Sequence, residues 1–247
     1  MARVEAITIP TPAGCISGLL HLPDRLPAPV VVCCHGLLSS KDSSKFALAG
    51  AVFTGGGFAV VRFDFSGCGD SEARPAGDLL RSRIRDLDCA LDYVKEQNWA
   101  RPGQTVLFGS SLGGYVALLA AASGSHVIGA VVCWAAPFDL TRVEHALETS
   151  EELGRLFPEG FRLGAPRDLG SLPPVPHVLL IHGERDEIVP WKDALDLYER
   201  MGEPRRLILM RTADHRFLDP DWRGLAMRLS LEWFQDRFAP HVPWPAT

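Results

Sequence analysis

The sequence predicts an α/β fold built on a mostly parallel sheet of about eight strands. Apolar runs of strand length recur along the chain, and stretches with helical periodicity lie between most of them. Several of these runs are apolar at every position, which is typical of parallel strands buried on both faces. No internal repeat or linker divides the chain, so we expect residues 1–247 to form a single domain.

The first two strands are predicted to form an antiparallel pair. They are VEAITIP and CISGLLHLP, and the short segment between them contains the proline and glycine of a tight turn. An exposed edge strand at this end of the sheet is compatible with a homodimer, which the sequence alone does not decide.

The other six strands are predicted from apolar runs, which are PVVVCCHG, FAVVRFDF, TVLFGSS, VIGAVVCWAA, HVLLIHGE and RRLILMRTAD. Because helices separate most of them, we expect these strands to run parallel. Their carboxyl ends then meet at one edge of the sheet, which is where open parallel sheets bind ligands.

Helices are predicted between the strands. One contains an apolar stripe at helical spacing, formed by Leu80, Ile84, Leu87, Leu91 and Val94. Residues 112–122 are small and apolar, as in a helix packed closely on a sheet. Two late helices are WKDALDLYERMG and DWRGLAMRLSLEWFQDRF. The basic cluster RSRIRD, residues 81–86, is interpreted as the solvent-exposed face of the helix that contains Leu80 and Leu87.

The segment 137–174 is longer than an ordinary connection between two strands. Long connections in compact domains are often lids or binding loops. We therefore expect a small cap or lid insertion here, with a helix flanked by irregular chain as the alternative.

Composition and charge exclude several classes of protein. The net charge is −5 and the basic residues are scattered, so a nucleic-acid partner is not expected. No apolar window reaches the roughly 18 residues of a membrane span, and the N-terminus lacks the pattern of a secretory signal.

Six widely spaced cysteines are interpreted as free thiols, which favours a cytoplasmic location. Cys33, Cys34 and His35 offer no converging ligand set, so no metal is expected.

The pentapeptide Gly109-Ser110-Ser111-Leu112-Gly113 follows a predicted strand and precedes a predicted helix. The pattern Gly-x-Ser-x-Gly is met only with Ser111 at its centre, flanked by Gly109 and Gly113. A sharp strand-to-helix turn of this kind lifts a serine hydroxyl above the edge of the sheet. The pattern indicates a nucleophile, with an ordinary glycine-serine turn as the alternative.

A base and an acid follow later strands in the order that such a nucleophile requires. Asp186 lies just beyond HVLLIHGE, and His215 lies just beyond RRLILM. We predict that His215 takes the proton of Ser111 and that Asp186 orients the imidazole. The alternative acids are Glu184, Glu187 and, less favoured, Asp214.

Acyl transfer also needs donors for the oxyanion of the tetrahedral intermediate. One is predicted to be the backbone N–H of Leu112, directly after the nucleophile. The other is assigned to the N–H of Leu37, in the loop after the third strand, where Gly36 lets the backbone turn inward. His35 is predicted to hold this loop and not to carry protons.

Five motifs occur in the order found in the α/β-hydrolase superfamily, and the chain resembles that superfamily over essentially its full length. They are CCHGLLSS, RFDFSGCGDSE, GSSLGG, HGERDEIVP and TADHRF. More narrowly, the chain is similar to small bacterial serine esterases, including cinnamoyl (feruloyl) esterases. The resemblance implies the roles already given to Ser111, Asp186 and His215, and a cap formed by 137–174 over the substrate pocket.

These observations predict a cofactor-free serine carboxylesterase that hydrolyses small carboxylic esters through an acyl-enzyme intermediate. Hydroxycinnamate esters, thioesters and small amides are alternative substrates, because the same groups can cleave all of them. A non-catalytic binding protein with this fold is the alternative from a different class.

Overall fold

A single sheet of eight strands runs through the computed structural model, which describes residues 3–75, 78–149 and 163–238. In chain order the strands are β1 (Arg3–Thr11), β2 (Gly14–Leu22), β3 (Ala28–Cys34), β4 (Ala59–Phe63), β5 (Ala100–Ser110), β6 (Ile128–Trp134), β7 (Val178–Gly183) and β8 (Arg205–Met210). Across the sheet their order is β1-β2-β4-β3-β5-β6-β7-β8. The predicted eight-stranded, mostly parallel sheet is confirmed.

Only the first strands depart from parallel pairing. β1 and β2 form an antiparallel hairpin whose register places Thr11 opposite Gly14. β2 is also antiparallel to β4, while β3 to β8 pair in parallel throughout. The predicted antiparallel pair is therefore present at one edge of the sheet.

The central strands are buried on both faces, which explains their continuous apolar sequences. Alternate residues of β3 belong to different cores: Val30 and Val32 contact the helices on one face, and Val31 contacts those on the other. The two adjacent cysteines separate in the same way, Cys34 to the first core and Cys33 to the second. All six cysteines of the chain are free thiols.

Six helices are described, and they cover the sheet on both faces. They are α1 (Ser44–Gly55), α2 (Leu79–Lys95), α3 (Leu112–Ser123), α4 (Leu140–Thr149), α5 (Lys192–Arg200) and α6 (Pro220–Phe238). α1 and α6 pack on one face, while α2, α3 and α5 pack on the other. Within the described ranges, no helix combines the length and the hydropathy that a membrane-spanning segment needs.

The order of the strands creates a crevice at the carboxyl end of β3. From β3 the chain crosses to β4 on one side, and it then returns to β5 on the other side. Connections that leave neighbouring strands in opposite directions open a cleft between them. The loops that follow β3 and β5 therefore face each other across this cleft.

The segment 137–174 is described in two parts, because residues 150–162 lie outside the described residues. The first part contains α4, and the second part returns beside its start, where Asp139 pairs with Asp168. Tyr115 of α3 anchors the returning chain by donating to the carbonyl of Pro166 at 2.8 Å. That this segment caps the substrate pocket stays a prediction.

Candidate active site

Ser111 lies in the tight turn between β5 and α3. Its backbone has φ 54° and ψ −127°, a combination that non-glycine residues rarely adopt. The turn is held by the N–H of Ser111, which donates to the carbonyl of Trp134 at 2.8 Å, and by the N–H of Gly114, which donates back to the carbonyl of Ser111 at 2.9 Å. Such strain is retained where surrounding contacts enforce it, and here it projects the hydroxyl into the cleft.

The flanking glycines are required because backbone approaches them closely. A Cβ on Gly109 would lie 2.6 Å from the carbonyl oxygen of Gly113, and one on Gly113 would lie 2.0 Å from the carbonyl oxygen of Cys34. A Cβ on Gly36 would lie 3.3 Å from the Cβ of Ser111. The loop after β3 therefore rests directly against the turn that carries Ser111.

His215 and Asp186 reach Ser111 from the ends of β8 and β7. His215 Nε2 lies 3.0 Å from Ser111 Oγ, and His215 Nδ1 lies 2.8 Å and 3.0 Å from the two carboxylate oxygens of Asp186. An ionised carboxylate can only accept, so Nδ1 carries the proton that is donated to Asp186. The unprotonated Nε2 then faces the hydroxyl of Ser111, as a base must.

Several donors converge on the carboxylate of Asp186. The N–H groups of Ile188 and Val189 donate to Oδ1 at 2.9 Å and 2.7 Å, and Nε2 of His182 lies 3.1 Å from Oδ2. Burial by itself would raise the pKa of Asp186, but the hydrogen bonds from His182 and His215 outweigh it and place that pKa well below its ordinary value. The group beside His215 is therefore a fixed negative charge.

In the described part of the chain, none of the alternative acids Glu184, Glu187 and Asp214 contacts the ring of His215. Glu187 accepts a hydrogen bond only from the backbone N–H of His215, at 3.2 Å. Asp214 accepts from the backbone N–H of Leu218. Within the described ranges, Asp186 is thus the one carboxylate in contact with the imidazole.

The predicted oxyanion donors lie on the two sides of the cleft. Leu112 is the first residue of α3, where the N–H groups of a helix have no partner within the helix. Leu37 lies in the loop after β3 and lines the same cavity as Ser111 and His215. In the described part of the chain, the N–H of Leu37 has no hydrogen-bond acceptor, and the N–H of Leu112 has none outside α3.

Hydrogen bonds to the carbonyl of Gly36 orient the N–H of Leu37. That carbonyl accepts from Nδ1 of His35 at 2.8 Å and from Arg83 at 3.2 Å. In a planar trans peptide the C=O and the following N–H point in opposite directions. The donors behind the loop therefore turn the N–H of Leu37 away from α2 and toward the cleft.

His35 holds this loop in its neutral form, in line with the predicted structural role. Its Nε2 accepts from the N–H of Phe65 at 3.1 Å, so its single proton is on Nδ1. Burial, followed by the nearby Arg83 guanidinium, lowers the pKa of His35 to about 3. The ring is therefore uncharged at neutral pH.

Arg83 corrects the interpretation of RSRIRD as a solvent face. Its side chain is 1% exposed, and its guanidinium donates to the carbonyls of His35, Gly36 and Leu37 at 2.9, 3.2 and 3.3 Å. It also stacks over Phe65, 4.5 Å from the ring centroid. The arginine turns inward because the carbonyls of the buried loop after β3 need hydrogen-bond donors.

A cavity of about 290 Å³ opens in front of Ser111 and His215. Its apolar lining comes from both sides of the cleft and consists of Leu37, Leu38, Phe46, Val143, Ile188 and Leu218. Val143 belongs to α4, so the first part of the segment 137–174 contributes to the wall. Lys45 and Arg216 also line the cavity.

Sequence reasoning missed three residues of this site. His182 stands four positions before Asp186 in HGERDEIVP, and its ring supports the acid. Arg83 falls between Leu80 and Leu87 on the apolar stripe of α2, a position that could have suggested burial. Lys45 offered no comparable signal, because lysine side chains are ordinarily exposed.

Residues 26–169, more than half of the chain, match the model of a protein family described as serine aminopeptidase, S33 (Hydrolase_4). The chain is 32% identical over 165 residues to the uncharacterized protein YfhR of Salmonella typhimurium, an alignment that covers 63% of this chain and 54% of YfhR. It thus spans about half the length of the YfhR proteins that it matches.

Two further similarities extend over more of the chain. It is 32% identical over 211 residues to the mouse mitochondrial palmitoyl-protein thioesterase ABHD10, covering 76% of this chain and 69% of that protein. It also superposes on Est1E from Butyrivibrio proteoclasticus, solved with ferulic acid bound, with a TM-score of 0.77 over 95% of this chain and 100% of that chain. At 18% identity, the likeness to Est1E concerns the fold alone.

Proposed function

The chain belongs to the Hydrolase_4 family of α/β-hydrolases, and on that premise we propose that it is a carboxylesterase that cleaves small carboxylic esters through an acyl-enzyme intermediate. The observation that carries the proposal is the continuous set of hydrogen bonds from Ser111 through His215 to Asp186. In this mechanism Ser111 is the nucleophile and His215 is the general base. Asp186 is the ionised carboxylate that orients His215.

Acylation begins when Ser111 Oγ attacks the carbonyl carbon and its proton passes to Nε2 of His215. Asp186 stabilises the resulting imidazolium because it remains ionised. The oxyanion accepts from the N–H groups of Leu37 and Leu112. The bond to the leaving alcohol then breaks, and His215 returns the proton to that oxygen.

Deacylation repeats the same steps with water. His215 takes a proton from a water molecule, whose oxygen attacks the acyl carbonyl and forms a second tetrahedral intermediate. Collapse of this intermediate breaks the bond to Ser111 Oγ, which recovers its proton from His215. The acid is released and no cofactor takes part.

The size of the cavity favours small substrates. Ligand pockets of roughly 300–1,000 Å³ are typical for drug-sized molecules, and the cavity beside Ser111 is about 290 Å³. Its walls are largely apolar, which suits a short acyl chain. Thioesters are the second candidate, because the relative from mouse is named a palmitoyl-protein thioesterase.

Labelling with a fluorophosphonate probe, followed by mass spectrometry, tests the proposal. An adduct on Ser111 is expected, and folded protein without an adduct would favour a non-catalytic binding protein. The substrate class is then tested with p-nitrophenyl esters of increasing acyl length, a thioester, a methyl hydroxycinnamate and an amino-acid p-nitroanilide. The highest kcat/KM is expected for a short-chain ester, and a higher value for the anilide would contradict ester specificity.

A further inference from the structure

Lys45 places a buried ammonium group at the wall of the cavity. It lies in α1, is 9% exposed, and donates from Nζ to Ser110 Oγ at 2.7 Å. The aromatic rings of Trp134 and Phe217 lie 5.4 Å and 5.2 Å from Nζ, measured to their centroids. Ser110 is the direct neighbour of the nucleophile Ser111.

This ammonium group has no carboxylate within ion-pairing distance among the described residues. Lys41, four positions earlier, shows how a buried lysine is ordinarily stabilised by ion pairs. Its Nζ lies 2.8 Å from Oδ2 of Asp64 and 2.6 Å from Oδ2 of Asp70. An unpaired buried charge is unfavourable, and burial lowers the pKa of Lys45 to about 7, although the more distant charges of Asp186 and Asp214 act in the opposite direction. An anion placed against Nζ would stabilise the protonated form.

Among the described residues, the other charged side chain that lines the cavity is also basic. Arg216 lines it and follows His215 directly in the chain, and no acidic side chain belongs to the described lining. The carboxylate of Asp186 is buried behind His215, where its oxygens are occupied by His215 and other donors. The net charge of the chain is −5, so two basic side chains without an acidic neighbour in the described lining stand out in an acidic protein.

We propose that Lys45 and Arg216 form an anion subsite, and that the preferred substrate is an ester that carries a carboxylate on its acyl part. The inference rests on the proposed function, because it assumes that Ser111 attacks an ester carbonyl. Both cations lie next to the proposed catalytic residues. Lys45 bonds to Ser110, the neighbour of the nucleophile Ser111, and Arg216 directly follows the base His215 in the chain. The carboxylate therefore lies a few carbons from the scissile carbonyl, as in the monoester of a short dicarboxylic acid.

Two substrates of similar size and shape test the charge requirement. Values of kcat/KM are measured for monomethyl glutarate and for methyl valerate, which lacks the second carboxylate. Wild-type protein is expected to prefer monomethyl glutarate by at least about tenfold, and Lys45→Met and Arg216→Gln are each expected to lower that preference by about tenfold. Lys192→Gln is the matched control, because it removes one exposed positive charge outside the cavity and should keep the preference.

A binding measurement separates this inference from the proposed function. Isothermal titration calorimetry with Ser111→Ala protein is expected to show tighter binding of monomethyl glutarate than of methyl valerate, and adding Lys45→Met or Arg216→Gln should remove the difference.

Equal binding, or equal kcat/KM values in wild-type protein that turns over both esters, would overturn the subsite and leave the esterase proposal standing. Failure of the esterase proposal would instead appear as absence of turnover and of a fluorophosphonate adduct. If Lys45→Met lowers the melting temperature strongly, the exposed Arg216→Gln variant decides the outcome.

Discussion

Nε2 of His215 lies 3.0 Å from Oγ of Ser111, although the two residues are 104 positions apart in the chain. β5 delivers the serine and the loop after β8 delivers the histidine, and both meet at the carboxyl edge of the sheet. The contact is the geometry that proton transfer from a serine nucleophile requires. It distinguishes the two adjacent serines, because Ser110 Oγ instead accepts from Lys45.

Ser111→Ala is expected to lower kcat for a p-nitrophenyl ester by about 10⁴-fold or more while the protein remains folded. The hydroxyl is lost from the wall of a cleft, so no core packing is removed. Ser110→Ala is the matched control and should lower kcat by about tenfold at most, because its hydroxyl does not contact His215. Steady-state kinetics and circular dichroism measure both effects, and similar losses in the two variants would contradict the assignment of the nucleophile.

Asp186→Asn is expected to lower kcat by about 10⁴-fold, because an amide neither fixes the tautomer of His215 nor balances its positive charge. Glu187→Gln serves as the comparison, since the Glu187 carboxylate contacts only the backbone N–H of His215. Its kcat should fall much less. A larger loss in Glu187→Gln than in Asp186→Asn would show that the acid has been misassigned.

Arg83→Met is expected to lower kcat by about 10–100-fold with a smaller change in KM, because a poorly oriented oxyanion donor weakens binding of the transition state more than binding of the substrate. Arg81→Met changes an exposed arginine of the same helix and should leave both constants unchanged. Kinetics with one ester and thermal unfolding of each variant give the comparison. If KM rises and kcat does not change, Arg83 does not act through the oxyanion loop.

Gly113→Ala is expected to destabilise the protein by about 1–3 kcal/mol or more, because the added Cβ would lie 2.0 Å from the carbonyl oxygen of Cys34. Backbone atoms form the obstruction, so a change of rotamer does not relieve it. Gly55→Ala in α1 meets no atom within 4 Å and should be neutral or stabilising by roughly 0.5–1 kcal/mol. Urea unfolding of both variants measures the difference, and equal midpoints would contradict the close approach of β3 to the turn.

Acid is expected to destabilise the fold through His35. Its pKa is lowered from 6.5 to about 3 in the folded protein, so between these values the unfolded chain binds a proton that the folded chain does not. The free energy of unfolding therefore falls as the pH decreases through this window, by up to roughly 1.4 kcal/mol per pH unit from this group. Above the window both states are neutral and the contribution is absent.

Urea unfolding of His35→Gln at several pH values tests this slope. The variant should be less stable near pH 7, because hydrogen bonds of the oxyanion loop are lost, but its stability should depend less on pH. His145→Gln, at an exposed position of α4, should keep the wild-type slope. An unchanged slope in His35→Gln would assign the acid sensitivity to other groups, such as His21, whose pKa is lowered to about 4 by burial and then by Arg62.

The sheet could be predicted from the sequence, because strands that are buried on both faces require continuous apolar runs. It also singled out Ser111, since the glycine spacing on both sides follows from steric limits within a few residues. It placed a base and several candidate acids at the ends of later strands. These are local properties, which depend on neighbouring residues and on the direction of the strands.

Which side chains meet in the site could not be predicted from the sequence and depends on how the chain folds. Asp186 and Glu187 are adjacent in sequence, and the turn after β7 directs the first to the ring of His215 and the second to its backbone. Arg83 lies in a basic cluster but is drawn inward by three carbonyls that belong to a loop more than forty residues earlier. Lys45 reaches the cavity because α1 packs beneath Ser110. The physical reason is the same in each case: long-range packing and the hydrogen-bonding needs of buried groups set the position of a side chain, and neither is contained in local periodicity.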